Sequence, residues 1–551
     1  MQKNKSNSLK TILKTSKIGI YEVLFSLVFA AILVIGHILI TTIDVDVKDI
    51  SNRIILGYLG SFIATWGIAL FCLTIIKRLS QNKKVVSKTI FLKNISDKKL
   101  WLFASIAIFI CYLPLILMTT SVLSPDSWNS LGQVTGRLPL SNGNPLIFTA
   151  FVSIFIHIGL LFGSLEFGTL LFSLAQSAIL AIIFARVIVW MRQEKIGVYG
   201  IIAALIFYAI LPVNAIAGII MWKDILFAGF GLLFLITLRK LYVEKNAYFT
   251  LKNIIYFITL AFLFCTFRNN GLYAYGLFFV IILVLNYRTL LTNKKFLLLL
   301  FAPIVLALAY LSFIVPLVSK PTTASYATLC VPMQQIARTV KYHSNSLTTE
   351  EKKTISEILP IDRLGEIYNP GLSDPVMGAF NAKAFDEDKD KYLSLWFSLF
   401  TEHPKTFFAA TMYNTYGYVY PYYPSPTTTD TVMDNTVHPN AFKDYSDDAF
   451  EDGNKQAVGT YNGTVSSIVP VIRSIGFYTS VILLALYIAI IRKKRELVGM
   501  FIILFSLFIS TILGPVNGEF RYLYLFVVAL PFILGSVYVG EKVNKTRLVK
   551  K

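Results

Sequence analysis

Four short polar stretches interrupt the apolar sequence of this 551-residue chain, and each carries side chains able to handle an anion or a proton. The first, residues 124–145 (SPDSWNSLGQVTGRLPLSNGNP), holds a single carboxylate, Asp126, with Gln133, Asn142 and Asn144. A carboxylate just above a membrane can take a proton from a hydroxyl substrate. The second, PVNAIAGIIMWKD, ends in Lys223 and Asp224. Lysine suits a phosphate as a compact point charge; alternatively Lys223 snorkels and Asp224 caps the next helix. The third, CTFRNNGLY, holds Arg268 and Asn269 with no basic run around them. The fork of donors on arginine fits a phosphate, and a structural ion pair between helices is the alternative. The fourth, GPVNGEFRYLY, carries Glu519, Arg521 and Tyr522 at a span boundary, where a local salt bridge is the plainer reading. Lys223, Arg268, Arg521 and one carboxylate on a common face would hold an anionic phosphate beside a base. No P-loop, GxGxxG, GxSxG, HExxH or CxxC signature occurs, so nucleotide hydrolysis, zinc and acyl-serine chemistry have no support.

The elements that must position these residues are membrane helices. The chain is 55% hydrophobic with mean hydropathy +0.64, which defines an all-α polytopic membrane protein. A net charge of +20 could suggest nucleic acid, but its distribution argues against that partner. Residues 320–455 carry 12 basic and 18 acidic side chains, so the excess of positive charge lies in short loops and tails beside the spans. Cytoplasmic loops are enriched in Lys and Arg, and this pattern orients the chain with both termini in the cytoplasm. About twelve spans are expected, near 18–41, 54–76, 100–119, 168–189, 198–211, 224–238, 253–267, 271–285, 296–317, 471–491, 498–513 and 522–539. The apolar stretch 146–163 reads as a helix lying at the outer surface, because a crossing there would invert every later loop. His157 on it is expected to be a buried, hydrogen-bonded structural residue.

Four regions follow. Residues 1–99 form a cytoplasmic tail, two spans and a basic loop. Residues 100–317 form the core membrane module, with the external loop 120–145 and the surface helix. Residues 318–470 form an extracytoplasmic domain of mixed, irregular structure before the last three spans, and 471–551 hold those spans and a basic tail. Within the domain, Thr348 and Glu351 form a possible capping box, and residues 391–412 repeat apolar side chains at helical spacing. The tyrosines at 416, 418, 420, 422 and 423 suit sugar stacking or, more simply, the interfacial belt. The four cysteines form neither a disulfide framework nor a zinc pattern. No cofactor or metal site is identified, and a divalent cation has no residue pattern behind it.

Three motifs carry a family likeness: PDSW with Asp126 leading through NGNP into a surface helix, the turn MWKD, and the late turn EFRY. The chain resembles the glycosyltransferase C superfamily, multispanning enzymes that use polyprenyl-phosphate sugars. FRNNG, VPMQQIAR and EHPKTFFAATMYNTYGYVYP also look like a largely uncharacterised group of multispanning proteins from Gram-positive bacteria, a likeness that covers most of the chain after the second span. The resemblance implies a bacterial plasma-membrane enzyme that moves a sugar from a polyprenyl-phosphate donor to a cell-envelope glycan acceptor. It implies that Asp126 is the general base and that Lys223, Arg268 and Arg521 supply the lipid-phosphate site. Asp224, Asn269, Glu519, Tyr522, Asn142 and Asn144 complete the expected substrate-binding set. Asn144-Pro145 stands where many relatives have His-Pro, and an amide cannot supply a cation there. Two other classes remain open: a polysaccharide polymerase or ligase acting on a lipid-diphosphate oligosaccharide, and a transporter, although transporters place polar groups at the bilayer midplane.

Overall fold

The computed structural model describes residues 16–41, 52–81, 95–119, 121–319, 326, 328–425 and 470–539. The tails at 1–15 and 540–551, the stretches 42–51 and 82–94, and residues 426–469, part of the region expected to be irregular, lie outside the described residues. The described chain is helical, with only isolated β-bridges between loops.

α1 (Ser16–Thr41) and α2 (Asn52–Gln81) form a hairpin that exposes Leu24, Val28, Leu56, Ile63 and Phe71. It meets the remaining helices where Phe25 stacks on Tyr487 at 4.7 Å. Next come α3 (Asp97–Thr119), α4 (Pro125–Val134), α5 (Leu146–Leu161), α6 (Leu165–Gln193), α7 (Val198–Ile210) and α8 (Pro212–Ile219). They are followed by α9 (Lys223–Glu244), α10 (Leu251–Thr266), α11 (Asn270–Thr292) and α12 (Lys294–Ala309). After α13–α19, described below, α20 (Ile475–Ile491), α21 (Val498–Ile512) and α22 (Tyr524–Tyr538) complete the bundle. Among the described residues nine helices are long and apolar enough to cross a membrane, or ten if the bent pair α7–α8 counts as one span. A count of twelve requires α10 and α20, at 16 and 17 residues, to cross as well.

The length of α6 sets the two ends of the bundle. At its foot, Arg192 pairs with Asp97 at the start of α3, and Gln193 donates to the same carboxylate at 2.8 Å. Higher up, Gln176 donates to the carbonyls of Ala217 and Ile220, beside the head of α3. From Gln176 to Gln193 is about 25 Å of helix. The first turns of α6 therefore run past the head of α3, and there they meet α5. A Cβ on Gly159 of α5 would lie 2.3 Å from the backbone nitrogen of Gly168, so only glycine permits this crossing. α5 buries Phe148, Val152 and Ile156 on one face and exposes Ile154 and Leu161 on the other. His157 is exposed, against expectation; its ring bonds back to the carbonyl of Ser153 at 2.9 Å, one turn earlier in the same helix.

Residues 328–425 carry a second apolar core, separate from that of the bundle. Its helices are α13 (Cys330–His343), α14 (Thr349–Ile358), α15 (Ile361–Ile367), α16 (Asp374–Gly378), α17 (Ala382–Glu387), α18 (Lys389–Glu402) and α19 (Pro404–Tyr413). The expectation of mixed structure gives way here to a helical unit around Ile336, Ile355, Leu364, Leu399 and Phe407. Thr348 and Glu351 form the expected capping box at the start of α14. The helical pattern over 391–412 is split into α18 and α19 at His403-Pro404, because proline cannot donate within a helix interior.

Candidate active site

The four polar stretches meet at the head of the bundle. The assembly starts at residues 121–127. Val122 bridges Ile220 in parallel register, its amide donates to the carbonyl of Ile219 at 3.0 Å, and Ser127 Oγ donates to the carbonyl of Met221 at 3.1 Å. The indole of Trp222 donates to Ser124 Oγ. Ser124 and Ser127 form a capping box, and Pro125 occupies the first turn of α4. Asp126 thus enters at a helix N-terminus, where the backbone dipole favours a carboxylate.

Lys223 follows Trp222 directly and reaches across the 142–145 turn. Its ammonium donates to Asn144 Oδ1 at 3.0 Å and to the carbonyl of Gly143 at 3.3 Å. Asn144 is buried and donates in turn to Ser130 Oγ at 3.1 Å and to the carbonyl of Asp126 at 3.4 Å. Asn142 accepts from the amide of Leu146, and its carbonyl accepts from the exposed Asn269 amide at 3.1 Å. Gln133 is bonded to Ser141, so it shapes the loop and does not join the charged groups.

Arg521 is the centre of the charge. Its Nη1 lies 2.5 Å from Asp126 Oδ2 and its Nε lies 3.6 Å from Glu519 Oε1. The guanidinium sits over Trp222 at 4.6 Å and near Tyr522 at 5.3 Å from the ring centroids. Both Asp126 and Arg521 keep some side-chain exposure, 36% and 17%. Burial opposes ionisation of Asp126, but Lys223 and Arg521 outweigh it and hold the carboxyl at about 2. Glu519 is the opposite case: it is 5% exposed, and burial, only partly offset by Arg521 and reinforced by Asp224, pushes its carboxyl up to about 7.

Arg268 and Asp224 are beneath this layer. Arg268 Nε pairs with Asp224 Oδ1 at 2.8 Å, with side-chain exposures of 6% and 1%. Arg268 also donates to the carbonyl of Tyr522 at 2.8 Å and lies over the Tyr522 ring at 4.6 Å. These contacts realise the ion pair between helices that the sequence allowed. Asp224 occupies the first turn of α9 but makes no cap hydrogen bond. The pair fixes the turn carrying Arg521 against α9 and presents no cation to solvent.

One site residue was missed in the sequence: Asp374, on the 328–425 unit. Its element is bonded to the turn just before Glu519. Ser373 donates to the carbonyl of Pro515 through its amide at 2.8 Å and its hydroxyl at 3.0 Å. Asn517 donates to the carbonyl of Gly371 at 2.9 Å, and Leu372 bridges Val516. The sequence around Asp374 (LSDPV) has no motif, and only this pairing across more than 140 residues reveals it. Of the tyrosine cluster, Tyr418 is buried and donates to the carbonyl of Val516 at 2.8 Å, Tyr420 packs on Gly36 of α1, and Tyr422 is 64% exposed. Among the described residues no group of three or more His, Cys, Asp or Glu side chains is placed to share a metal ion.

Helices and site together define an all-helical, multispanning membrane protein with a charged cluster gathered at one end of its bundle. The chain belongs to a family of unknown function, DUF6020, whose model matches residues 134–547. Asp126 precedes the matched stretch, whereas Lys223, Arg268, Asp374 and Arg521 lie inside it. No curated protein and no solved structure matches the chain.

Proposed function

We propose that the protein transfers a sugar from a polyprenyl-phosphate donor to a hydroxyl of a cell-envelope glycan, at the outer face of the bacterial cytoplasmic membrane. One observation carries this reading. Lys223 is held by two neutral acceptors and by no carboxylate among the described residues, next to a partly exposed Arg521. Two cations from distant segments, at or just before the starts of the apolar helices α9 and α22, therefore act on one carboxylate, Asp126, which suits the phosphate of a lipid whose chain lies in the bilayer. Asp126 anchors Arg521 in the resting site. A carboxyl held at about 2 is ionised at all physiological pH and is a weak proton acceptor. A donor phosphate competes with Asp126 for Arg521.

Arg268, buried and paired, positions the Arg521 turn in this scheme and does not touch the donor. Charge supports the outward placement. Arg192, Arg239, Arg492 and Lys494 pair with residues at the foot of the bundle, away from Asp126, and basic ends face the cytoplasm.

The test uses the full-length protein in lipid nanodiscs with radiolabelled polyprenyl-phosphate sugars, polyprenyl-diphosphate oligosaccharides and cell-envelope glycan acceptors. Transfer from the monophosphate donor is expected, with reduced transfer in Asp126→Asn, which loses the anchor of Arg521, and weaker donor binding in Lys223→Ala. Transfer from the diphosphate donor alone would make the protein a polymerase or ligase. Full activity in both variants would remove the cluster from the reaction.

A further inference from the structure

Residues 369–374 and 514–517 are held together by backbone pairing from both sides. On one side are the Ser373–Pro515 and Asn517–Gly371 hydrogen bonds. On the other, Asn414 donates to the carbonyl of Gly514 at 3.0 Å, and Asn517 Oδ1 accepts from the amide of Gly417 at 2.8 Å. Asp374 is therefore fixed relative to Glu519 and Arg521 by bonded chain, although 145 residues separate it from Glu519. Its side chain is exposed. Among the described residues its carboxylate makes no hydrogen bond and no ion pair, in contrast to Asp126, whose oxygen is taken by Arg521.

We propose that Asp374, delivered by the 328–425 unit, is the base that takes the proton from the acceptor hydroxyl. This rests on the sugar-transfer reading and completes it. The acceptor O–H gives its proton to the Asp374 carboxylate. The oxygen lone pair forms the bond to the anomeric carbon, and the bond from that carbon to the phosphate oxygen breaks. Its electron pair leaves with the polyprenyl phosphate, which Lys223 and Arg521 hold. The proton then passes from Asp374 to water. The charged groups whose fields reach Asp374 are Arg521 and Asp126, and Asp374 in turn acts on the Cys330 thiol of the adjoining helix. Partial desolvation by the protein packed around it raises the Asp374 carboxyl above its ordinary value although the residue keeps access to solvent; Arg521 lowers it and Asp126 raises it again. An acceptor-side base works best with its pKa moved toward the working pH, and Asp374 is shifted in that direction while Asp126 is shifted away. The two carboxylates thus divide the work. Asp126 holds the cation that meets the donor, and Asp374 receives the acceptor proton.

The experiment compares wild type, Asp374→Asn, Asp374→Glu and Asp362→Asn in nanodiscs. Asp362 is an exposed acid of the same unit, outside the site. Asp374→Asn is expected to lose transfer by roughly 100- to 10,000-fold. Its binding of polyprenyl phosphate, followed by fluorescence titration, should equal wild type. Asp374→Glu should recover part of the rate with a displaced acidic limb in the pH–rate profile, and Asp362→Asn should match wild type. Wild-type transfer undiminished in Asp374→Asn would overturn the assignment while leaving the sugar-transfer reading intact. Equal loss of donor binding and rate in Asp374→Asn would make Asp374 structural and also overturn it. Absence of wild-type transfer from any lipid-linked donor would overturn both.

Discussion

Glu519 stands between the two ion pairs of the site, and its carboxyl is moved from 4.5 to about 7 by burial. Between those values an unfolded chain releases this proton and the folded chain keeps it. The associated stability is therefore complete below about 4.5 and is lost as pH rises to about 7. The swing is on the order of 3 kcal/mol. Glu519→Gln lacks it, so the thermal midpoint of that variant should gain on wild type between pH 5 and pH 8. A difference that stays constant across that range would mean that Glu519 is already ionised in the folded protein. The residue scale also explains why three basic residues that look alike in sequence divide their work. Arg268 is committed to Asp224 and the Tyr522 carbonyl, Arg521 is shared between carboxylates, and Lys223 is held only by neutral oxygens.

The decisive element is the turn at 514–518, which has little regular structure of its own. It receives bonds from the 369–373 segment and from Asn414 and Tyr418, and it leads through Gly518, at φ +61°, into Glu519. A side chain on Gly518 would be strained in that conformation and would lie 2.6 Å from the Tyr423 ring. Asn517 ties both flanks, accepting from Gly417 through its side chain and donating to Gly371 through its backbone. Asn517→Ala leaves the buried amide of Gly417 without this partner, at a cost of about 1–3 kcal/mol. It should loosen the 328–425 unit from the head of the bundle. The expected outcome is faster amide hydrogen exchange at 369–374, with exchange in α22 unchanged; equal protection in variant and wild type would mean that the turn is held without Asn517.

On the scale of the whole molecule, the site and the helical 328–425 unit share one end of the bundle, and the basic contacts at Arg192, Arg239 and Arg492 share the other. Single cysteines placed at Asp390 and Arg495, in a chain whose four native cysteines are replaced by serine, give the orientation. Both positions are exposed. A membrane-impermeant maleimide applied to intact cells should label position 390 and spare 495 until the cells are opened; the reverse pattern would place the site in the cytoplasm. The sequence by itself determined that this is an all-helical membrane protein and that Asp126, Lys223, Arg268 and Arg521 are unusual, because ionisable groups beside lipid are costly and stand out against apolar runs. It also carried the capping box of Thr348 and Glu351, a local contact between neighbours in sequence. Tertiary structure alone decided which cation meets which carboxylate, since one oxygen of Asp126 is closed by an arginine 395 residues away. It alone brought in Asp374, whose local sequence is ordinary and whose place depends on backbone pairing between distant loops. Such pairing leaves no periodic trace in either partner, and for that reason a residue can be conspicuous in the sequence and occupied in the fold, while an inconspicuous one is left open.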